Sequence, residues 1–141
     1  MEAIVCERRP VEDWRLALAV NSNLMKIGKP GVNLLITGLD GPIQKMLELL
    51  KANRRDSVAT WSPGHPLVLP SDERTEIMIL HDVGALPHDD QHRLLEWLDV
   101  ARGRTLVVST TPESLLPRVQ AGEFIDALYY RLNILFIEVT G

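Results

Sequence analysis

Four short stretches of the chain hold the side chains that could do chemistry. The run Gly38-Leu39-Asp40-Gly41-Pro42-Ile43-Gln44-Lys45 combines glycines with a lysine, the residue types of a phosphate-binding turn. His81, His88 and His92 invite a metal. His88 and His92 are four apart and could share one helix face, with Asp82 and Asp89 close in sequence. A solvated helix start, with acidic residues set against the helix dipole, accounts for the same residues more simply. Asp89 and Asp90 are adjacent and point in different directions, which is a poor arrangement for acid–base work. Ser109-Thr110-Thr111 supplies hydroxyls, but no histidine is placed to serve as their base.

Composition narrows the functions open to these groups. The chain has 141 residues, 45% hydrophobic and 24% charged. That suits one soluble domain with a sizeable core. A net charge of −4 gives no general pull toward nucleic acid. Trp14, Trp61, Trp97, Tyr129 and Tyr130 have no basic residues interleaved, so packing is their expected role and direct DNA binding is not expected. Cys6 is the single cysteine. It excludes an internal disulfide framework and fits a reducing cytoplasm. No signal pattern stands at the N-terminus, and no apolar run approaches the ~18 residues of a membrane span. A cytoplasmic protein without membrane contact is expected.

The elements that must position these groups alternate between strand and helix. Residues 12–25, with Trp14, Leu16, Leu18, Val20, Leu24 and Met25, read as a helix ended by Gly28, Pro30 and Gly31. The apolar run 32–37 reads as a buried parallel strand. Residues 42–53 carry Ile43, Met46, Leu47, Leu49 and Leu50 at helical spacing, with Pro42 in the first turn. Further strands are expected at 57–61, 77–80, 105–109 and 134–139. A proline-rich loop covers 62–75. Asp89 or Asp90 is the expected cap of a helix running to about Ala101. Shorter helices are expected at 115–121 and 125–132. This alternation implies a parallel sheet covered on both faces.

Two of these segments carry a resemblance. Gly122-Glu123-Phe124-Ile125-Asp126-Ala127-Leu128-Tyr129-Tyr130-Arg131-Leu132-Asn133 resembles the arginine-finger segment of the AAA+ ATPase domain of sigma-54-dependent transcription activators. The family pattern there is close to Gly-x-Phe-Arg-x-Asp-Leu-Tyr-Tyr-Arg-Leu-Asn. Leu80-His81-Asp82-Val83-Gly84-Ala85-Leu86-Pro87, running to Leu94-Leu95, is similar to that family's Walker B strand and following helix, Leu-Asp-Glu-Ile-Gly-Glu-Leu-Pro…Gln-x-x-Leu-Leu. The resemblance covers about residues 32–139. It implies a three-layer, P-loop NTPase-like α/β sandwich with a mainly parallel five-stranded sheet and no helical lid. The implied strand order is 134–139, 32–37, 105–109, 77–80, 57–61. The whole chain, 1–141, is then one domain, with 1–31 as helix and lead-in and 32–139 as core.

The departures from the family pattern fall on the positions that handle nucleotide. A working loop reads Gly-x-x-x-x-Gly-Lys followed by Ser, Thr or Glu. Here Pro42 has no N–H for a phosphate oxygen. Ile43 replaces the last glycine, and Gln44 replaces the lysine. Lys45 comes one residue late, about 100° round a helix. His81 replaces the aspartate that holds Mg²⁺, for which neutral imidazole is a poor ligand. Asp82 replaces the catalytic glutamate, one methylene shorter. Thr111 stands for the family's asparagine, and Ile125 for the first finger arginine. Arg131 matches the second, and a local ion pair, as with Asp126, is an equal account of it. Between Gly38 and Asp82 lie 43 residues, with nothing like the family's Gly-Ala-Phe-Thr-Gly-Ala loop.

The resemblance implies a degenerate relative that works in transcriptional regulation by protein contact. The expected surface is Phe124, Tyr129, Tyr130, Arg131 and Asn133. The expected partner is an activator AAA+ ring or a second copy of the chain. No cofactor is expected at the altered loop of Gly38, Asp40, Gly41, Gln44 and Lys45, and no metal beyond weak candidates His81 and Asp82. The alternative is a weak ATP-binding protein or ATPase, with ATP and Mg²⁺ bound, Asp82 orienting water and Arg131 as finger.

Overall fold

Five of the apolar runs become neighbouring strands of one sheet. The structure is a computed structural model that describes residues 4–5, 31–51, 58–71, 75–100 and 104–139. The expected helix over 12–25 and Cys6 lie outside the described residues. In chain order the elements are β1 (Ile4–Val5), β2 (Leu34–Gly38), α1 (Asp40–Lys51), β3 (Val58–Trp61), β4 (Ile77–Leu80), a 3-10 turn (Val83–Ala85), α2 (His88–Val100), β5 (Leu106–Thr111), α3 (Leu116–Gln120), α4 (Asp126–Leu132) and β6 (Leu135–Val139). The sheet order is β1-β6-β2-β5-β4-β3, and every pair is parallel.

The five long strands stand in the order the resemblance implies, and the architecture is the P-loop NTPase-like α/β sandwich. A sixth strand is added at the edge. β1 pairs Ile4 with Leu135 and Val5 with Phe136. Two residues carry no periodicity, which is why the sequence shows no strand there.

Burial explains the strand composition. All four residues of β4 and all six of β5 are buried. A central parallel strand is covered on both faces, so its sequence is a continuous apolar run. β6 differs: Leu135, Ile137 and Val139 are buried, while Phe136 and Glu138 are only half-buried. Two cores result. On one face α1 buries Ile43, Met46, Leu47 and Leu50 against Leu34, Ile36, Ile79, Val108 and Ile137. Each such side chain contributes roughly 1.5–3 kcal/mol. On the other face α2 and α4 bring Leu94, Leu98, Leu128 and Leu132 onto Leu35, Met78, Leu80 and Val107.

One detail differs from expectation. α2 begins at His88, so Asp89 and Asp90 lie in its first turn and neither is the cap. The Gln91 N–H donates to Pro87 O at 2.9 Å, which starts the helix there. Pro87 cannot continue a helix backwards but tolerates this position. The loop at 62–71 is also pinned by its neighbours. Trp61 Nε1–H donates to His65 O and Trp97 Nε1–H to Pro70 O, both at 2.8 Å. The two indoles therefore pack and brace, as their surroundings in the sequence suggest.

Candidate functional site

In an open parallel sheet the crevice beyond the strand C-termini is the usual ligand position. Here that edge gathers Gly38, His81 with Asp82, and Thr111, at the ends of β2, β4 and β5. The β2–α1 connection is a single residue, Leu39, since β2 ends at Gly38 and α1 begins at Asp40. Gly41 and Pro42 are already in the first turn of the helix. The Ile43 N–H donates to Leu39 O at 3.2 Å, as a helical N–H does. The Ile43 side chain is 2% exposed, inside the α1 core. Asp40, Gly41, Gln44 and Lys45 are exposed. The helix N-terminus thus offers few free N–H groups, with the Asp40 carboxylate beside them.

Gly38 has its own structural cause. Its φ is +148°, and a Cβ there would lie 2.0 Å from Val139 O. The β2 and β6 backbones approach too closely at this point for any side chain.

β4 ends in a sharp bend. Asp82 has φ 49° and ψ 59°, the left-handed conformation that Asp tolerates better than most residues. Its N–H donates to Thr110 Oγ1 at 3.1 Å, which fixes the turn to β5. The Asp82 carboxylate is half-buried and makes no hydrogen bond or ion pair with any described residue. Thr111 turns its hydroxyl back into its own loop, donating to Glu113 O at 2.6 Å.

His81 continues the β3–β4 ladder, its N–H donating to Trp61 O at 2.9 Å. Burial, and then the nearby Lys51 ammonium, push its imidazole below its ordinary value, while Asp40 opposes them. The neutral ring is therefore favoured in the folded chain. The unfolded chain takes up the proton first as pH falls, so stability is full above about 6.5 and declines as pH drops through the depressed folded value. Melting followed from pH 8 to 5 should show this loss, and His81→Asn should shrink it. Equal acid slopes in the two proteins would refute the assignment.

The finger segment is divided by burial. Phe124 is 1% exposed and belongs to the α2–α4 core, so it offers no contact surface. Tyr129 and Asn133 are half-buried, and the Asn133 Nδ2–H donates to the Tyr129 hydroxyl at 3.1 Å. Tyr130 is 65% exposed and meets Tyr129 edge to face. Arg131 forms an ion pair with Asp99 of α2. Asp126 is not its partner; that carboxylate accepts the Ala127 N–H at 2.7 Å. With both groups partly exposed, the Arg131–Asp99 pair contributes about 0–1 kcal/mol.

Two buried amides missed by the sequence reading hold this segment in place. Gln91 is 1% exposed. Its Nε2 donates to Leu86 O at 2.9 Å and Glu123 O at 3.1 Å, and its Oε1 accepts the Ile125 N–H at 2.9 Å. Asn33 donates from Nδ2 to Arg131 O at 2.9 Å and accepts the Val107 N–H at 3.2 Å. Gln91 occupies the glutamine of the Gln-x-x-Leu-Leu pattern, a signal that marked the position without its role. Asn33 carried no signal.

His88 and His92 do share a helix face, their rings edge to face at 5.0 Å. Among the described residues no three His, Cys, Asp or Glu side chains gather where a metal could sit. No helix among them is long and apolar enough to cross a membrane.

Sheet order and strand-end edge together define a P-loop NTPase-like α/β core. A family model described as the sigma-54 interaction domain matches residues 16–141, and the chain belongs to that family. Solved structures agree in fold. NtrX from Brucella abortus in complex with ADP superimposes with a TM-score of 0.71 at 15% identity, over 94% of this chain and 37% of NtrX. The same NtrX in complex with ATP gives 0.67 at 15% identity, over 82% of this chain and 33% of NtrX. The P-loop NTPase domain of a sigma-54 transport activator from E. coli gives 0.60 at 12% identity, over 93% of this chain and 94% of that domain. The chain thus spans little more than a third of the length of NtrX. No curated protein matches its sequence.

Proposed function

We propose that this chain is a non-catalytic contact module, built on the sigma-54 activator ATPase core and acting in transcriptional regulation. The observation that carries this reading is the one-residue turn between β2 and α1. A triphosphate cradle needs a loop of free N–H groups, glycine freedom and a lysine aimed at the phosphates. Here the helix has consumed the loop, Pro42 contributes no N–H, and Ile43 is locked into the core. Lys45 is exposed and out of phase. The residues of this turn do not fit a triphosphate. NtrX was solved with ADP and with ATP, and this chain parts from it in function at that turn.

The contact surface in this reading centres on Tyr130, with Tyr129 and the Arg131–Asp99 pair beside it. Its partner is an activator AAA+ ring. One calorimetric series on the purified chain tests the proposal, with two injectants. ATP with Mg²⁺ should give no heat, or binding no tighter than about millimolar. An activator ATPase domain should bind, and Tyr130→Ser should abolish that binding without lowering the melting temperature. Micromolar ATP affinity would instead establish a nucleotide-binding protein, with the Asp82 carboxylate as its water-orienting group.

A further inference from the structure

α2 presents two imidazoles one above the other at its start. His88 and His92 are both exposed, and a spacing of four residues sets them on one face of the helix. Their ring centres are 5.0 Å apart, with 78° between the planes. Neither ring has a hydrogen-bond or ion-pair partner among the described residues.

The separation is the one a shared metal ion requires. An imidazole nitrogen binds zinc at about 2.0–2.1 Å, which puts the ring centre roughly 3.2 Å from the ion. With the two nitrogens subtending about 90–110° at the ion, the ring centres stand about 4.5–5.2 Å apart. The observed 5.0 Å falls inside that interval. Chelation asks only for rotation of two exposed rings, because the helix already holds their spacing.

The local charge is compatible with a cation. The helix dipole opposes one at this end, and the Asp89 and Asp90 carboxylates in the first turn offset it. Arg93 engages Asp90 at 2.9 Å. Asp89 precedes His92 by three residues and lies on the same flank. No third side chain completes a ligand set among the described residues. Two imidazoles without an oxygen cage select nickel, copper or zinc over magnesium and calcium.

We propose that His88 and His92 chelate one divalent ion of nickel, copper or zinc through one ring nitrogen each. The remaining coordination positions are left to water or to a group from another molecule. The site depends neither on the β2–α1 turn nor on the surface around Tyr130.

The untagged full chain should be titrated calorimetrically with Ni²⁺, Zn²⁺ and Mg²⁺. Ni²⁺ and Zn²⁺ should saturate at one ion per chain below about 1 mM, and Mg²⁺ should give no binding. His88→Ala and His92→Ala should each weaken Ni²⁺ about tenfold or more, because either leaves a single imidazole, and the double variant should be little worse than either. His65→Ala should leave the affinity unchanged. Both rings are exposed, so the variants should keep the metal-free melting temperature, and Ni²⁺ should raise that temperature in the parent chain but not in the variants. Single variants that kept full affinity and lost only half the bound metal would show two rings acting separately. That result, binding that survives the double substitution, Mg²⁺ bound as tightly as Ni²⁺, or no saturation by about 1 mM would each overturn the assignment.

Discussion

Replacing Gly38 by alanine will cost roughly 3–5 kcal/mol, a large share of the ~5–15 kcal/mol that holds a domain of this size. Two causes add. The φ of +148° is strained for any residue with a side chain, and the new methyl would meet Val139 O at 2.0 Å. The obstacle is backbone, which cannot rotate aside. Relief requires β6 to move away from β2, and the register from Leu34–Leu135 to Gly38–Val139 would go with it. Gly41 provides the contrast. It lies in the first turn of α1 with nothing within 4 Å of a Cβ. Gly41→Ala should stabilise by about 0.5–1 kcal/mol through helix propensity. Urea unfolding followed by circular dichroism reads both. If the two glycines had been kept for phosphate alone, neither substitution would change the unfolding midpoint so unequally.

Gln91→Leu will be nearly as damaging, at roughly 3–5 kcal/mol. The substitution leaves Leu86 O, Glu123 O and the Ile125 N–H without their partner, and each orphaned group costs about 1–3 kcal/mol before relaxation. The damage should be local in its first effect. Hydrogen exchange should show the Ile125 amide losing protection before the β5 amides do. Gln91→Glu keeps an acceptor for Ile125 but turns a carboxylate toward two carbonyls, so it should also destabilise. Because the Gln91 amide sets the entry to α4, both variants should weaken any contact made through Tyr130. A fully protected Ile125 amide in Gln91→Leu would show that the amide does not bolt this segment.

Much of the fold was legible because its central strands are buried on both faces. Ile77–Leu80 and the run around Val107 could hardly be anything else in a chain of alternating elements. The order of the five strands came from the resemblance in the finger and Walker B segments, since spacing alone does not fix topology. β1 was illegible because two residues carry no pattern. The start of α2 was misplaced because Asp89 and Asp90 look like caps, whereas the Pro87 carbonyl opens the helix. At the candidate site, the substitutions in the phosphate-loop pattern were readable residue by residue. That the helix had absorbed the loop was not, because Gly41 and Pro42 are ordinary loop residues in sequence. Phe124 was expected at the surface on the strength of its neighbours, yet its position before α4 aims it into the α2–α4 core. The partner of Arg131 was misread for a similar reason: the sequence suggests neighbours along a helix, and Asp99 lies across a packing interface.

The sheet order also dictates a timetable for assembly. β2 lies between β5 and β6, so the strand is made well before either of its neighbours. Its backbone must wait until Leu106–Thr111 and then Leu135–Val139 emerge. At about 5–20 residues per second, that is several seconds during which an apolar strand has two open edges. Such distant pairings slow folding and expose the nascent chain to wrong partners. Chaperone dependence during translation, fading once β6 has left the ribosome, follows from that order of birth.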